Sequence, residues 1–277
     1  MIDMAVNEQD LMTDEIREMS GPDPLISVVM PAYNCAKTLA ASVQSVLAQT
    51  FEDWELLIID DCSPDDTLAL MRQLKIQDPG RIRLFRNKTN RGVGLTRMRG
   101  VNAARGRWIA FLDSDDLWTP DKLWKQAALA AAEPDARLIF TGSSFIDADG
   151  SPLKYRLEVP ARITRGDLLK QNLISCSSVM IDRELIKEHP MSHRMDMHED
   201  FACWLRILED IPYASGINEP LLIYRLQRDS KSGNKAKAAK MNWRTYRHAG
   251  LSIPEALYYM GWYTVRGLVK YRRLKAG

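Results

Sequence analysis

Residues 25–60 read LISVVMPAYNCAKTLAASVQSVLAQTFEDWELLIID, and this stretch decides the fold. It opens with a short apolar, β-rich run, LISVVM. AKTLAASVQSVLAQT (36–50) then places Leu39, Val43, Val46 and Leu47 at helical spacing, and WELLIID (54–60) returns to an unbroken apolar run. Strand, helix and strand at these lengths make a βαβ unit, whose strands run parallel because the helix carries the chain back.

The alternation continues outward. A helix is expected over 64–77, a strand at IRLFR (82–86), a helix over 92–105 and a strand at WIAFLD (108–113). The fold class is therefore α/β, a mainly parallel sheet flanked by helices, whose strands lack polar alternation because both faces are covered. After about residue 137 the pattern loosens. RLIFTGSSFID (137–147), SSVMID (177–182) and LLIYRL (221–226) read as strands and HEDFACWLRILED (198–210) as a helix, extending the same sheet.

The 277 residues, 45% hydrophobic, suit one sizeable core with appendages. The net charge of +2 hides an uneven distribution: residues 1–24 are acidic with Arg17 as their only cation, while 228–277 are basic with Asp229 and Glu255 as their only acids. Residues 1–24, ending in GPDP, are expected to form a loose tail. Residues 25–227 form the catalytic-size domain and 228–277 a basic, aromatic-rich helical tail. With no basic start followed by an apolar run, and no stretch of about 18 apolar residues, the expected location is cytoplasmic. Cys35, Cys62, Cys176 and Cys203 are far apart and read as free thiols; their spacing to His189, His193 and His198 does not suit zinc.

Parallel α/β sheets bind ligands at the carboxyl ends of their strands. Here those ends read PAYN (31–34), DDCSPDD (60–66), NKTNRG (87–92) and, within AFLDSDDLWTP (110–120), DSDD (113–116). One account of the last makes it a solvated turn, with Asp116 or Thr119 capping a helix that begins near Pro120. That explains one carboxylate and leaves the repulsion among Asp113, Asp115 and Asp116 unrelieved. Mg²⁺ or Mn²⁺, which takes carboxylates together with the oxygens of a substrate diphosphate, accounts for all three. The first turn has no glycine, and GVG (92–94) is followed by Arg97 where a dinucleotide fingerprint needs its third glycine, so glycine-cradled phosphate is disfavoured. Tyr33 can offer a ring to a base and Asp61 an acceptor to a base N–H; each could equally serve as a packed aromatic or a turn cap.

SVVMPAYNCAKTLAASVQSVLAQTFEDWELLIIDDCSPDDT, NRGVGLTRMRGVNAARGRWIAFLDSDDLWTPDKL and HEDFACWLRI together resemble inverting family 2 glycosyltransferases of the GT-A fold, densely over about 25–125 and again over 172–227. The resemblance implies a nucleotide-sugar donor, UDP-sugars first, a divalent metal at an Asp-x-Asp motif, and single displacement with inversion. Carried over by position, Pro31, Ala32, Tyr33 and Asp61 hold the nucleoside, with Asn90 and Asp113 on the donor. Arg97 is a diphosphate candidate, Asp115 and Asp116 serve the metal, and Asp200 with Glu199 forms the catalytic pair. Gln227 stands where many relatives carry a histidine two residues after a YR pair, and an amide oxygen is the poorer ligand. Met98 interrupts a frequent ARN triplet.

The chemistry is coherent without the name. Breaking a sugar–diphosphate bond requires neutralising the departing charge, at 113–116, and removing a proton from the attacking hydroxyl, at 199–200. The competing role for Glu199 and Asp200 is to complement a helix amino terminus. KAKAAKMNWRTYRH (235–248) and the stripe Leu257, Gly261, Val265, Leu268 suit a helix on an anionic membrane surface, or one packed on the core. Near-neutral overall charge and the lack of a matching motif argue against nucleic acid. The acceptor expected is a saccharide or a polyprenyl-linked saccharide, as in capsule, exopolysaccharide or O-antigen synthesis. A nucleotidyltransferase, or a non-catalytic saccharide- or membrane-binding protein, remains the alternative.

Overall fold

A computed structural model describes residues 16, 19, 21–194, 196–226 and 235–276, with the backbone alone at 235–237 and 266–276. The opening stretch folds as read: β1 (Ile26–Ala32), α1 (Leu39–Leu47) and β2 (Trp54–Asp60). Then follow α2 (Thr67–Gln77), β3 (Ile82–Arg86), α3 (Val93–Ala103), β4 (Trp108–Phe111), β5 (Leu117–Trp118) and α4 (Lys122–Ala132). The second half runs β6 (Leu138–Ile146), β7 (Pro152–Leu157), β8 (Arg162–Ile163), α5 (Arg165–Lys170), a 3₁₀ turn (Cys176–Ser178), β9 (Met180–Asp182), α6 (Arg183–Glu188), α7 (Glu199–Asp210) and β10 (Ala214–Arg225). Two helices close the chain, α8 (Lys235–His248) and α9 (Ile253–Ala276).

The described strands form one sheet of order β3-β2-β1-β4-β9-β6-β10-β5, with β7 on β6 and β8 on β10. β1 is parallel to β2 and β4, β2 to β3, and β6 to β10; the short β9 runs against both β4 and β6. The second half thus continues the first sheet. Ala32 lies beside Asp60, and Val29 beside Phe111, so PAYN, DDCSPDD and DSDD emerge along one edge.

Residues of β1 divide by parity. Ile26, Val28 and Met30 join the core beneath α1, α2 and α4, while Val29 faces the core of Met98, Val101, Phe201 and Trp204. That two-sided burial explains the unbroken apolar strands. Under the opposite, amino ends of the strands, the nearly inaccessible Glu55 accepts from Ser27 Oγ at 2.8 Å and pairs with Arg83 and Arg105 at 2.8 and 3.1 Å. Burial pushes its carboxyl up, but the bonds from Arg83, the Arg105 amide and Ser27 hold it below the usual range.

One boundary expected from sequence shifts. The helix expected at Pro120 starts at Lys122, and neither Asp116 nor Thr119 caps it. Leu117 and Trp118 are instead drawn into β5 against β10, which turns Asp116 toward the Arg225 amide. Within the expected helical tail, α8 packs on the core. Tyr246 of α8 is buried against Phe201, with ring centroids 5.7 Å apart, and donates its hydroxyl to Leu169 O at 2.7 Å. Most of the acidic tail lies outside the described residues, but Ile16 and Met19 pack on the core near β1. Gln227 also lies outside them.

Candidate active site

A cleft of about 980 Å³ opens at the carboxyl ends of β1, β2 and β4. Pro31, Ala32, Tyr33, Asp61, Asn90, Asp113 and Asp115 all line it, bringing together seven of the expected site residues from four separate loops. Tyr33 is half exposed, its ring open to a planar ligand. Asp61 is the organiser of this end. Its Oδ1 accepts from Asn87 Nδ2 at 2.7 Å and the Arg91 amide at 2.9 Å, and its Oδ2 from the Gly92 amide at 2.9 Å. Gly92 presents that amide at φ 83°, a backbone angle that side-chain-bearing residues resist. With the Gly92 amide on Oδ2, Asp61 keeps acceptor capacity for a ligand N–H.

The three aspartates divide. Asp113 and Asp115 face the cleft, whereas Asp116 lies beneath it, 2% exposed, accepting from the Arg225 amide at 3.0 Å. Burial, then the charges of Asp115 and Asp113, push the Asp116 carboxyl well above the usual carboxylate range, opposed by the Arg225 amide and the Ser177 hydroxyl. Ser177, on the 3₁₀ turn before β9, also accepts from the Asp113 amide at 3.1 Å, so one buried hydroxyl holds both ends of the acidic turn. This residue carried no sequence signal, because only the reversal of β9 brings it under β4.

These oxygens fit a hard divalent cation. Among the described residues no three acidic, histidine or cysteine side chains are grouped to hold an ion alone. Cleft-facing carboxylates with crowded negative charge suit Mg²⁺ or Mn²⁺ completed by substrate phosphate oxygens. The strain on Asp116 is the kind a cation relieves.

Arg97 departs from its expected place. It is 3% exposed, does not line the cleft, and joins Asp113 Oδ1 at 2.6 Å to Glu199 Oε1 at 3.1 Å. Glu199 and Asp200 also lie off the cleft wall, linked to its acidic end through this guanidinium, and they begin α7 as expected. Asp200 is half-buried and accepts from the Phe201 amide at 2.7 Å. Burial, then the Glu199 charge, raise its proton affinity above that of an ordinary aspartate, with Arg97 acting in the other direction. Burial, then the charges of Asp116, Asp113, Asp115 and Asp200, push the Tyr224 hydroxyl pKa up.

The chain is similar to proteins of known type. The description "Glycosyl transferase family 2" matches residues 27–189. A putative teichuronic acid biosynthesis glycosyltransferase, TuaG of Bacillus subtilis, is 40% identical over 83% of this chain and 90% of its own. The chain belongs to glycosyl transferase family 2. An Escherichia coli relative of this glycosyltransferase, the UDP-Glc:alpha-D-GlcNAc-diphosphoundecaprenol beta-1,3-glucosyltransferase WfgD, is 35% identical over 90% of this chain and 96% of its own. Staphylococcus aureus TarS 1-349 in complex with UDP-GlcNAc superposes with TM-score 0.67 at 17% identity, over 85% of this chain and 70% of that one. The mannosyltransferase PcManGT of Pyrobaculum calidifontis in complex with GDP-Man and Mn²⁺ gives 0.65 at 16%, over 91% and 75%. The fold is GT-A, and the enzyme is an inverting glycosyltransferase of the bacterial polysaccharide type.

Proposed function

We propose that this glycosyltransferase moves a sugar from a UDP-sugar, with Mn²⁺ or Mg²⁺, to a saccharide acceptor carried on a polyprenyl diphosphate. The observation that carries the reading is the single cleft in which Tyr33 and Asp61 stand at one end and Asp113 and Asp115 at the other. That spacing of a base-type pocket from an acidic turn suits a nucleoside diphosphate; WfgD, a relative at 35% identity, is named for a UDP-Glc donor and TarS is solved with UDP-GlcNAc, whereas the PcManGT complex holds GDP-Man. Asp115 would hold a divalent ion, with Asp116 supporting it from beneath, and the ion would supply neutralisation of the diphosphate charge.

This chain's own residues do the rest. Pro31 and Ala32 form the backbone wall of the nucleoside end, Tyr33 stacks on the base, and Asp61 accepts a base N–H; Asn90 and Asp113 hold ribose or sugar hydroxyls. Asp200 takes the proton of the acceptor hydroxyl as its oxygen bonds to C1 and the C1–O bond to the diphosphate breaks, which inverts C1. A carboxylate with raised proton affinity is suited to that task. Glu199 keeps Arg97 in register.

The acceptor class brings the enzyme to the inner face of the cytoplasmic membrane. No helix among the described residues is long and apolar enough to cross a membrane. α9 instead exposes Ile253, Leu257, Tyr258, Trp262 and Val265 next to a basic sequence, chemistry suited to an anionic lipid surface. Thermal-shift measurement with UDP-, GDP- and dTDP-sugars, each with and without Mn²⁺, tests the donor reading. A rise in Tm with a UDP-sugar, enlarged by Mn²⁺, is expected. No shift with any of them removes the reading.

A further inference from the structure

We propose that Arg225, rather than Arg97, is the cation that receives the diphosphate of the donor. Among the described residues lining the cleft, Lys37 and Arg225 are the only lysine or arginine side chains, and Arg225 shares the acidic end with Asp113, Ser114, Asp115 and Ala148. The two arginines are held in opposite ways. Arg97 is neutralised by two carboxylates. Arg225 is held by backbone carbonyls, with Nε donating to Asp115 O at 3.0 Å and Nη1 to Ala148 O at 3.2 Å and Asp147 O at 3.5 Å.

Carbonyls orient a guanidinium without cancelling its charge. The side chain is thus fixed in advance, its positive charge is left for an anion, and among the described residues Nη2 has no partner. A planar, pre-oriented cation of this kind suits phosphate oxygens, and little rotamer freedom remains to be lost on binding. The same contacts tie the turn between β6 and β7 to the acidic turn, which is what makes Ala148 part of the cleft wall. A diphosphate bound there would place its oxygens on the Arg225 guanidinium, beside the acidic turn.

The inference rests on the UDP-sugar reading, and the test separates the two. UDP and uridine are titrated by calorimetry and by ligand-observed NMR into the wild-type chain, Arg225→Gln and Arg225→Lys, in EDTA so that the side chain is the main counter-charge. Gln can keep a donor for the carbonyls, and the backbone amide that serves Asp116 is retained in every variant. Arg225→Gln should weaken UDP roughly tenfold or more while uridine binding is unchanged, and Arg225→Lys should recover part of the loss. If Arg225→Gln binds UDP as well as wild type does, or loses uridine in the same proportion, the assignment is overturned. If the wild-type chain binds neither UDP nor uridine, the donor reading itself falls, and this assignment with it.

Discussion

Arg97 and Glu199, 102 residues apart in the chain, meet at 3.1 Å in a buried ion pair, and the same guanidinium holds Asp113 at 2.6 Å. The donor end of the site and the first turn of the helix that carries Asp200 are therefore set by one side chain. Removing it takes a shared counter-charge from the buried Glu199 and from the partly exposed Asp113. Arg97→Gln should cut kcat by about a hundredfold or more and lower Tm, while Arg97→Lys, which keeps charge but not the fork, should recover stability better than rate. Steady-state kinetics beside a thermal melt separates the two effects.

Asp200→Asn should lower kcat by about a hundredfold or more with UDP affinity unchanged, since a base contributes mainly in the transition state. The raised proton affinity of Asp200 gives a pH signature. The base is active when ionised, so the rate should fall as pH drops through a value above the ordinary aspartate range. A pH profile of kcat/KM whose acidic limb persists in Asp200→Asn would assign the proton acceptor elsewhere.

Asp115→Asn should abolish most of the gain in UDP affinity that Mn²⁺ confers, because it removes a cleft-facing carboxylate. Calorimetry in Mn²⁺ and in EDTA reads this directly. Equal affinities in the two buffers for the wild-type chain would dismiss the metal.

Glu55 predicts the acid side of the stability curve. Its folded pKa lies below its unfolded value, so its contribution is complete above the unfolded pKa and is lost as pH falls through the lower folded one. Glu55→Gln should cost about 2–3 kcal/mol near neutrality and flatten the decline below about pH 4.5. Urea unfolding across pH 3–7 is the measurement.

Leu257→Glu combined with Trp262→Glu should abolish sedimentation with phosphatidylglycerol vesicles while Tm and hydrolysis of a soluble donor stay near wild type, because both side chains are exposed. Unchanged sedimentation would exclude this face as the lipid contact.

Periodicity made the first half legible. Each strand from β1 to β4 is short, apolar and followed by a polar turn, and parallel pairing aligns those turns whatever their sequence. Tyr33, Asp61, Asp113 and Asp115 could be named in advance for that reason, while Pro31, Ala32 and Asn90 came from the family resemblance. The depth of a side chain could not. Asp116 sinks because Leu117 and Trp118 pair with β10, more than a hundred residues later in the chain, and Arg97 turns inward because Glu199 is there to meet it. Ser177 and Arg225 escaped notice for the same reason, since their roles depend on which strands come to lie beside β4 and β6. For α8 the sequence left two readings open, a membrane surface or packing on the core, and Tyr246 and Thr245 are buried in a run whose composition is basic.

The reversed strand β9 has a consequence during synthesis. β4 is complete by residue 111, but its outer neighbour in the sheet is not β6; it is Met180–Asp182, made much later. At roughly 5–20 residues per second, the growing chain carries the open hydrogen-bonding edge of a central strand for on the order of several seconds. During that interval β6, already translated, could add to β4 in the place reserved for β9, a mispairing that would leave Ser177 away from the acidic turn. Ribosome-bound chains arrested near residue 160 should accordingly be more protease-sensitive over β4 than chains arrested beyond residue 215, so the order of translation makes the acidic turn one of the last parts of this half of the sheet to acquire its support.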